Sequence, residues 1–438
     1  MIEVTADKLL LLVSSTILLS YVGGLLYKKT KIPDIIWVLL FGIVLGPVLD
    51  VFDKDLFLSI SPLMSTVALS IILFDAGINV DIKMLEKTLL KSMVLALATF
   101  TAVVLSMGLL LPYILPSSFN FKQAMLLGAM VGGTSTLAVF GIIGGIERLI
   151  PRIESTKVIL MMESVVSDPI CIITSVTIIR MIMLPDVSLG ESILEIMTIF
   201  ILSSCMGFIV GLIWAEVLNR MRGRSLNYIV TLAILFPVYI ASERIIGEGG
   251  GTMAALVFGL TITNYRYLVR KIGIDRNLKI DKTQIRKFHD EMTFFIKAFF
   301  FVYIGLIVTI SLEYAKLGML IIGVILVIRF IVATLVGRTL DFTREELVLT
   351  RLIFAQGLPA FVMSQLPFIF DPHRSYFLEP EIYPNLCMPI VLGTVLIAAI
   401  AGPLIAQRQL KGRENGKNHR SPPQPLDGSG REGPGQEP

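Results

Sequence analysis

Apolar runs close to bilayer-spanning length recur along this chain from Leu9 to about Gln407. A helix needs roughly 20 mostly apolar residues to cross the hydrocarbon. Inside lipid every backbone N–H and C=O must be satisfied within the protein, which leaves helices as the form such runs can take. Only 16% of the 438 residues are charged and 54% are hydrophobic, whereas a soluble domain carries about 25% charged residues. The deficit extends along nearly the whole chain, which excludes a soluble body on a single anchor. The reading is therefore an all-α polytopic membrane protein.

Thirteen spans can be drawn. The first six are Leu9–Tyr27, Pro33–Leu49, Pro62–Val80, Leu89–Leu111, Ala124–Ile146 and Val158–Ile182. The other seven are Ile193–Leu218, Tyr228–Ala241, Met253–Leu268, Thr293–Ile310, Leu317–Val336, Leu347–Leu366 and Leu386–Ile405. The distribution of basic residues tests this count, because short cytoplasmic loops are enriched in Lys and Arg. Alternate loops carry Lys28, Lys29 and Lys31; Lys83, Lys87 and Lys91; Arg148, Arg152 and Lys157; Arg220, Arg222 and Arg224; the run from Arg266 to Lys287; and Arg338 with Arg344. The loops between them hold few. This alternation places the N-terminus outside and the C-terminus in the cytoplasm. The first run has no basic leader or clear cleavage site and reads as a retained span. Residues 1–410 are expected to form one transmembrane domain. Residues 411–438 are polar and rich in Pro and Gly, the composition of a disordered tail.

Two spans are interrupted. Span five contains Gly132-Gly133-Thr134-Ser135-Thr136, then Gly141, Gly144 and Gly145. Span twelve contains Gln356-Gly357-Leu358-Pro359, then Gln365 and Pro367. One such span would mean a kink or a packing contact. Two, at matching places in inverted repeats of spans one to six and eight to thirteen, mark the binding site of a secondary transporter. Both are expected to be broken helices that cross at mid-membrane and expose backbone carbonyls and amides.

Charges inside spans are costly and usually functional. Asp168 lies about ten residues, or ~15 Å, into span six, near the midplane. Pro169 follows and frees a backbone carbonyl. Ser164, four residues earlier, shares its face. This is an all-oxygen donor set suited to a hard cation. Low dielectric disfavours a bare carboxylate, so such a group trades a proton for a cation. The alternative is a carboxylate that only braces helices. Glu163 points about 140° away, and its depth, ~8 Å from the cytoplasmic end, agrees with the ~11 Å of Arg329 in span eleven. The two are read as a structural ion pair, unless Arg329 snorkels to the cytoplasm. Asp75 is either a second site carboxylate or an interfacial group near Asn79 and Asp81. Lys297 and Arg351, near span ends, are read as snorkelling.

Other chemistries find little support. Cys171, Cys205 and Cys387 fall in apolar runs without metal-like spacing. His289, His373 and His419 are far apart, and no His-Glu-x-x-His stretch exists. No enzyme, resident cofactor or nucleic-acid partner is expected.

The stretch Glu163-Ser164-Val165-Val166-Ser167-Asp168-Pro169 resembles the Glu-Ser-x-x-Asn-Asp-Pro signature of the monovalent cation:proton antiporters, specifically the NhaP-like sodium/proton exchangers. Leu73-Phe74-Asp75-Ala76-Gly77, the break at Gly132 to Thr136, and Arg329 one span before the second break are similar too. The resemblance covers Leu9 to Ile405. It implies a homodimer in a cell membrane and a core domain that shifts against a dimerisation domain. It also implies Asp168 as the shared cation and proton site, assisted by Thr134, Ser164 and Asp75. Two residues depart from the pattern. Ser167 replaces Asn, which by analogy with the uncharged Asn points to electroneutral exchange. Ser135 stands where Asp is common and is expected among the cation- and proton-binding residues. The expected function is exchange of Na+ for protons in pH homeostasis. Li+, K+ or another substrate on the same fold are the alternatives.

Overall fold

The computed structural model describes residues 6–30, 34–52, 57, 60–80, 82–135, 139, 143, 146, 153–184, 189–221, 227–271, 282–309 and 311–411. Gly141, Gly144 and Gly145 of the fifth apolar run, and the tail after Lys411, lie outside the described residues.

Among the described residues every regular element is helical. The first are α1 (Ala6–Thr30), α2 (Asp34–Ile43, closing in a π turn at Val44–Val48), α3 (Ser61–Asn79), α4 (Ile82–Ile114) and α5 (Phe121–Val131). Then come α6 (Glu154–Met183), α7 (Leu189–Arg220), α8 (Asn227–Ile245), α9 (Gly250–Lys271) and α10 (Lys282–Ile307). The last are α11 (Leu312–Thr339), α12 (Arg344–Leu352), α13 (Leu358–Ser364), α14 (Leu366–Phe370) and α15 (Ile382–Lys411). Each apolar run read from the sequence contains helix. Among the described residues, five stretches are long and apolar enough to cross a membrane: 88–114, 154–183, 193–220, 312–339 and 382–402.

The helices sort into two packed groups. In one, α9 lies against α3, α7 and α8, while α10 lies against α2 and α3, and α1 covers α2. In the other, α4 packs on α5, α6 and α11, and α15 on α11, α12 and α13. Small residues allow the closest approach. A Cβ on Gly77 of α3 or Gly259 of α9 would run into the other helix's backbone. Without a hydrophobic force between helices in lipid, such close backbone contact is a main source of packing energy. At one end of the molecule Arg180 on α6 reaches Glu195 on α7 and, at 3.2 Å, Glu248 in the α8–α9 connection.

Two short helices in the second group matter most. Both begin with a capping box, in which the cap side chain and the N3 side chain satisfy each other's orphan amides. For α5 these are Asn120 and Gln123, and for α12 Thr343 and Glu346. With 11 and 9 residues, the two helices run about 16 and 14 Å, roughly half the hydrocarbon thickness. Each then gives way to non-helical backbone, at residues 132–135 and 353–357.

Candidate functional site

The two non-helical stretches meet. The Ser135 amide donates to the Ala355 carbonyl at 2.8 Å, and Gln356 Nε2 donates to the Val131 carbonyl at 2.5 Å. That carbonyl is among those a helix end leaves without an internal partner. Gly357 is required at the crossing, because a Cβ there would overlap the Ser135 side chain.

Helix α6 runs beside this crossing and presents three polar residues to it. Ser164 Oγ donates to the Thr134 carbonyl at 2.7 Å. The Thr134 amide donates to Ser167 Oγ at 3.2 Å, and that hydroxyl donates to the Ser164 carbonyl at 3.1 Å. Thr134 is thus pinned through its own backbone by both serines. Its side-chain hydroxyl is buried and has no hydrogen-bond partner among the described residues.

Asp168 lies one turn beyond Ser164 and is 5% exposed. It helps line a small cavity with Met130, Gly133, Thr134, Cys171, Gln356 and Gly357 and with residues of α13. The cavity has room for about one water-sized particle. No described residue donates a hydrogen bond to the carboxylate. Pro169 lies within the unbroken α6 and removes the N–H that would have met the Val165 carbonyl. Among the described residues no three His, Cys, Asp or Glu side chains gather. The donors available here are one carboxylate, one free hydroxyl and backbone oxygens, a set chemically suited to a small hard cation.

The remaining residues singled out in the sequence sit in different places. Glu163 and Arg329 meet in the same helix group. Arg329 Nη2 donates to Glu163 Oε2 at 2.8 Å, and Nη1 donates to Oε1. Arg329 Nε also donates to the Thr350 carbonyl at 2.6 Å, and the guanidinium lies 5.2 Å from the centroid of the Phe354 ring. Asp75, on α3 in the other group, is not among the residues lining the cavity. Its Oδ2 is 3.6 Å from Lys297 Nζ, and Asn79 Nδ2 donates to its Oδ1 at 3.3 Å. Lys297, read from the sequence as snorkelling, is therefore an ion-pair partner. Arg351 stacks over the Phe330 ring at 4.9 Å. Ser135 joins the crossing through its amide.

Sequence reasoning passed over Gln356 and Cys171 as site residues. Gln356 stood in the second break and was a visible signal. Cys171 is three residues after Asp168, which places it on the same helix face.

The fold and sequence have known counterparts. Residues 14–411 match the family described as sodium/hydrogen exchanger, transmembrane. Na(+)/H(+) antiporter 1 of Methanocaldococcus jannaschii is 23% identical over 294 residues, 65% of each chain. K(+)/H(+) antiporter NhaP2 of Shewanella sp. strain ANA-3 is 30% identical over 264 residues, 58% of this chain and 43% of that protein. The chain thus spans about two thirds of the first relative's length and under half of the second's. The solved structure of the sodium proton antiporter MjNhaP1 from Methanocaldococcus jannaschii at pH 8 superposes with a TM-score of 0.75 at 19% identity. The match covers 92% of this chain and 99% of that one. With the family match running through α15, this multi-pass membrane chain belongs to the transmembrane sodium/hydrogen exchanger family, a family of transporters rather than enzymes.

Proposed function

We propose that the protein exchanges a monovalent cation for protons by alternating access, with Asp168 as the shared binding site. One observation carries this reading: Asp168 lines a small cavity with room for about one water-sized particle, beside the unpartnered Thr134 hydroxyl. A buried carboxylate there is neutralised by a proton or by a cation, and the two compete for it. Competition at one carboxylate couples the two fluxes without any further device. Na+ is the expected cargo, with Li+ and K+ as alternatives.

The other parts have supporting roles in this reading. Thr134 contributes its hydroxyl, and Ser164 and Ser135 hold the non-helical backbone in place. Asp75, paired with Lys297, assists from the neighbouring helix group. Glu163 and Arg329 form a structural pair. Ser167 brings no charge, so one carboxylate titrates per cycle and exchange is electroneutral. The capping boxes and mid-length ends of α5 and α12 support paired broken helices in inverted repeats. The two helix groups support a core that shifts against a scaffold. The protein acts as a homodimer in the plasma membrane, with its N-terminus outside and its C-terminus in the cytoplasm.

Reconstituted vesicles test this. A preset pH gradient collapses when Na+, Li+ or K+ is added. A gradient that persists with all three contradicts antiport. A second reading makes K+ the principal cation, and the relation to the Shewanella K(+)/H(+) antiporter favours it. The order of the three ions in the same assay separates the two.

A further inference from the structure

We infer that Gln356 is a positioning residue whose side chain sets the width of the Asp168 cavity and thereby the size of cation accepted; this rests on the antiport reading. Gln356 is 1% exposed and lies in the cavity wall. Both ends of its amide are engaged. Nε2 donates to the Val131 carbonyl at 2.5 Å, and Oε1 lies 3.3 Å from the Thr394 hydroxyl on α15. The same hydroxyl accepts from the Gln356 backbone amide at 3.2 Å, and its single proton is also within reach of the Val391 carbonyl at 3.1 Å.

An amide tied in this way at its nitrogen and approached by a hydroxyl at its oxygen acts as a strut. It fixes the last turn of α5 against α15, with residue 356 between them. Gly133 and Thr134 follow that turn, Gly357 follows Gln356, and all three line the cavity. The glutamine side chain is therefore a second tie, beside the Ser135–Ala355 backbone hydrogen bond, that fixes the separation of the two backbone stretches walling the cavity. Discrimination among cations of equal charge depends on the size and stiffness of the cavity that replaces their water. Removing the strut also leaves the Val131 carbonyl without its buried partner, which favours rearrangement of that wall.

The test compares apparent KM for Na+ and K+ in proteoliposomes for wild type, Gln356→Leu, Thr394→Val and Thr394→Ser. Leucine keeps the bulk of glutamine and loses both hydrogen bonds. Gln356→Leu brings the Na+-to-K+ KM ratio toward unity by at least about threefold, while the maximal rate changes less than the ratio. Thr394→Val moves the ratio the same way, and Thr394→Ser, which keeps the hydroxyl, preserves it. Thr394→Val supplies the answer by itself should Gln356→Leu fail to fold. A folded variant of either kind with the wild-type ratio overturns the inference, as does a wild type that takes both ions with equal KM. A wild type that exchanges neither ion overturns the antiport reading, and this inference with it.

Discussion

Arg329 on α11 and Glu163 on α6 face each other as a two-pronged pair, with side chains 0% and 1% exposed. The pair joins the helix that carries Asp168 to α11, and through Thr350 and Phe354 to the second non-helical stretch. Breaking a buried pair leaves a lone charge and costs about 3–5 kcal/mol, whereas replacing both partners with apolar groups is often close to neutral. Glu163→Leu and Arg329→Met are each expected to lower the thermal unfolding midpoint of the purified protein sharply. The double variant is expected to be more stable than either single one. Additive losses in the double variant would contradict a pairwise structural role.

The crossing at Gly357 and Ser135 gives a second prediction. Gly357→Ala puts a methyl group into the Ser135 side chain, and overpacking of this kind costs about 1–3 kcal/mol. Ser135→Gly in the same chain opens the space and is expected to restore part of the loss. The readout is unfolding temperature. No recovery in the double variant would show that the contact is not what requires glycine.

Asp371, just beyond α14, provides a pH prediction. Burial raises its carboxyl pKa, but backbone amides of Phe377, Tyr376 and Ser375, with His373 nearby, outweigh that and hold it below the ordinary carboxylate value. The amides lie 2.8, 2.7 and 2.9 Å from its oxygens. A lowered folded pKa contributes stability above the unfolded value of about 3.9, and that contribution is lost as pH falls through the folded value. Asp371→Asn is therefore expected to be less stable than wild type at neutral pH, with the gap closing under acid conditions. A gap that does not vary with pH in unfolding curves would contradict this.

The Asp75–Lys297 pair makes a fourth. A group that itself handles the transferred proton contributes about 10²-fold or more to rate. Asp75 stands outside the cavity wall, so Asp75→Asn is expected to cost less than that in the vesicle assay. A complete loss in folded protein would place Asp75 in the transport step itself.

Much of the helical fold was legible because apolar runs near bilayer length are strong one-dimensional signals. The interruption in the twelfth run was equally plain from Gln356-Gly357-Leu358-Pro359, and the backbone there is non-helical at 353–357. Partners across helices were harder. The depths of Glu163 and Arg329 could be matched because both lie well inside long spans. Lys297 near the end of its span offered no such constraint, and its approach to Asp75 depends on how α3 and α10 pack. Ser167 showed in the sequence only as a missing amide side chain. Its hydroxyl accepts from the Thr134 amide, a local contact that depends on where residues 132–135 leave the helix. Gln356 was visible as a breaker, but its role as a strut requires Thr394, 38 residues away.

The central claim is that Asp168 is the site that cation and proton share. The most direct measurement is dissipation of a pH gradient in proteoliposomes by Na+, Li+ and K+, with wild type and Asp168→Asn side by side. The account predicts that at least one ion collapses the gradient with wild type and none does with folded Asp168→Asn. Exchange by Asp168→Asn at the wild-type rate would contradict it.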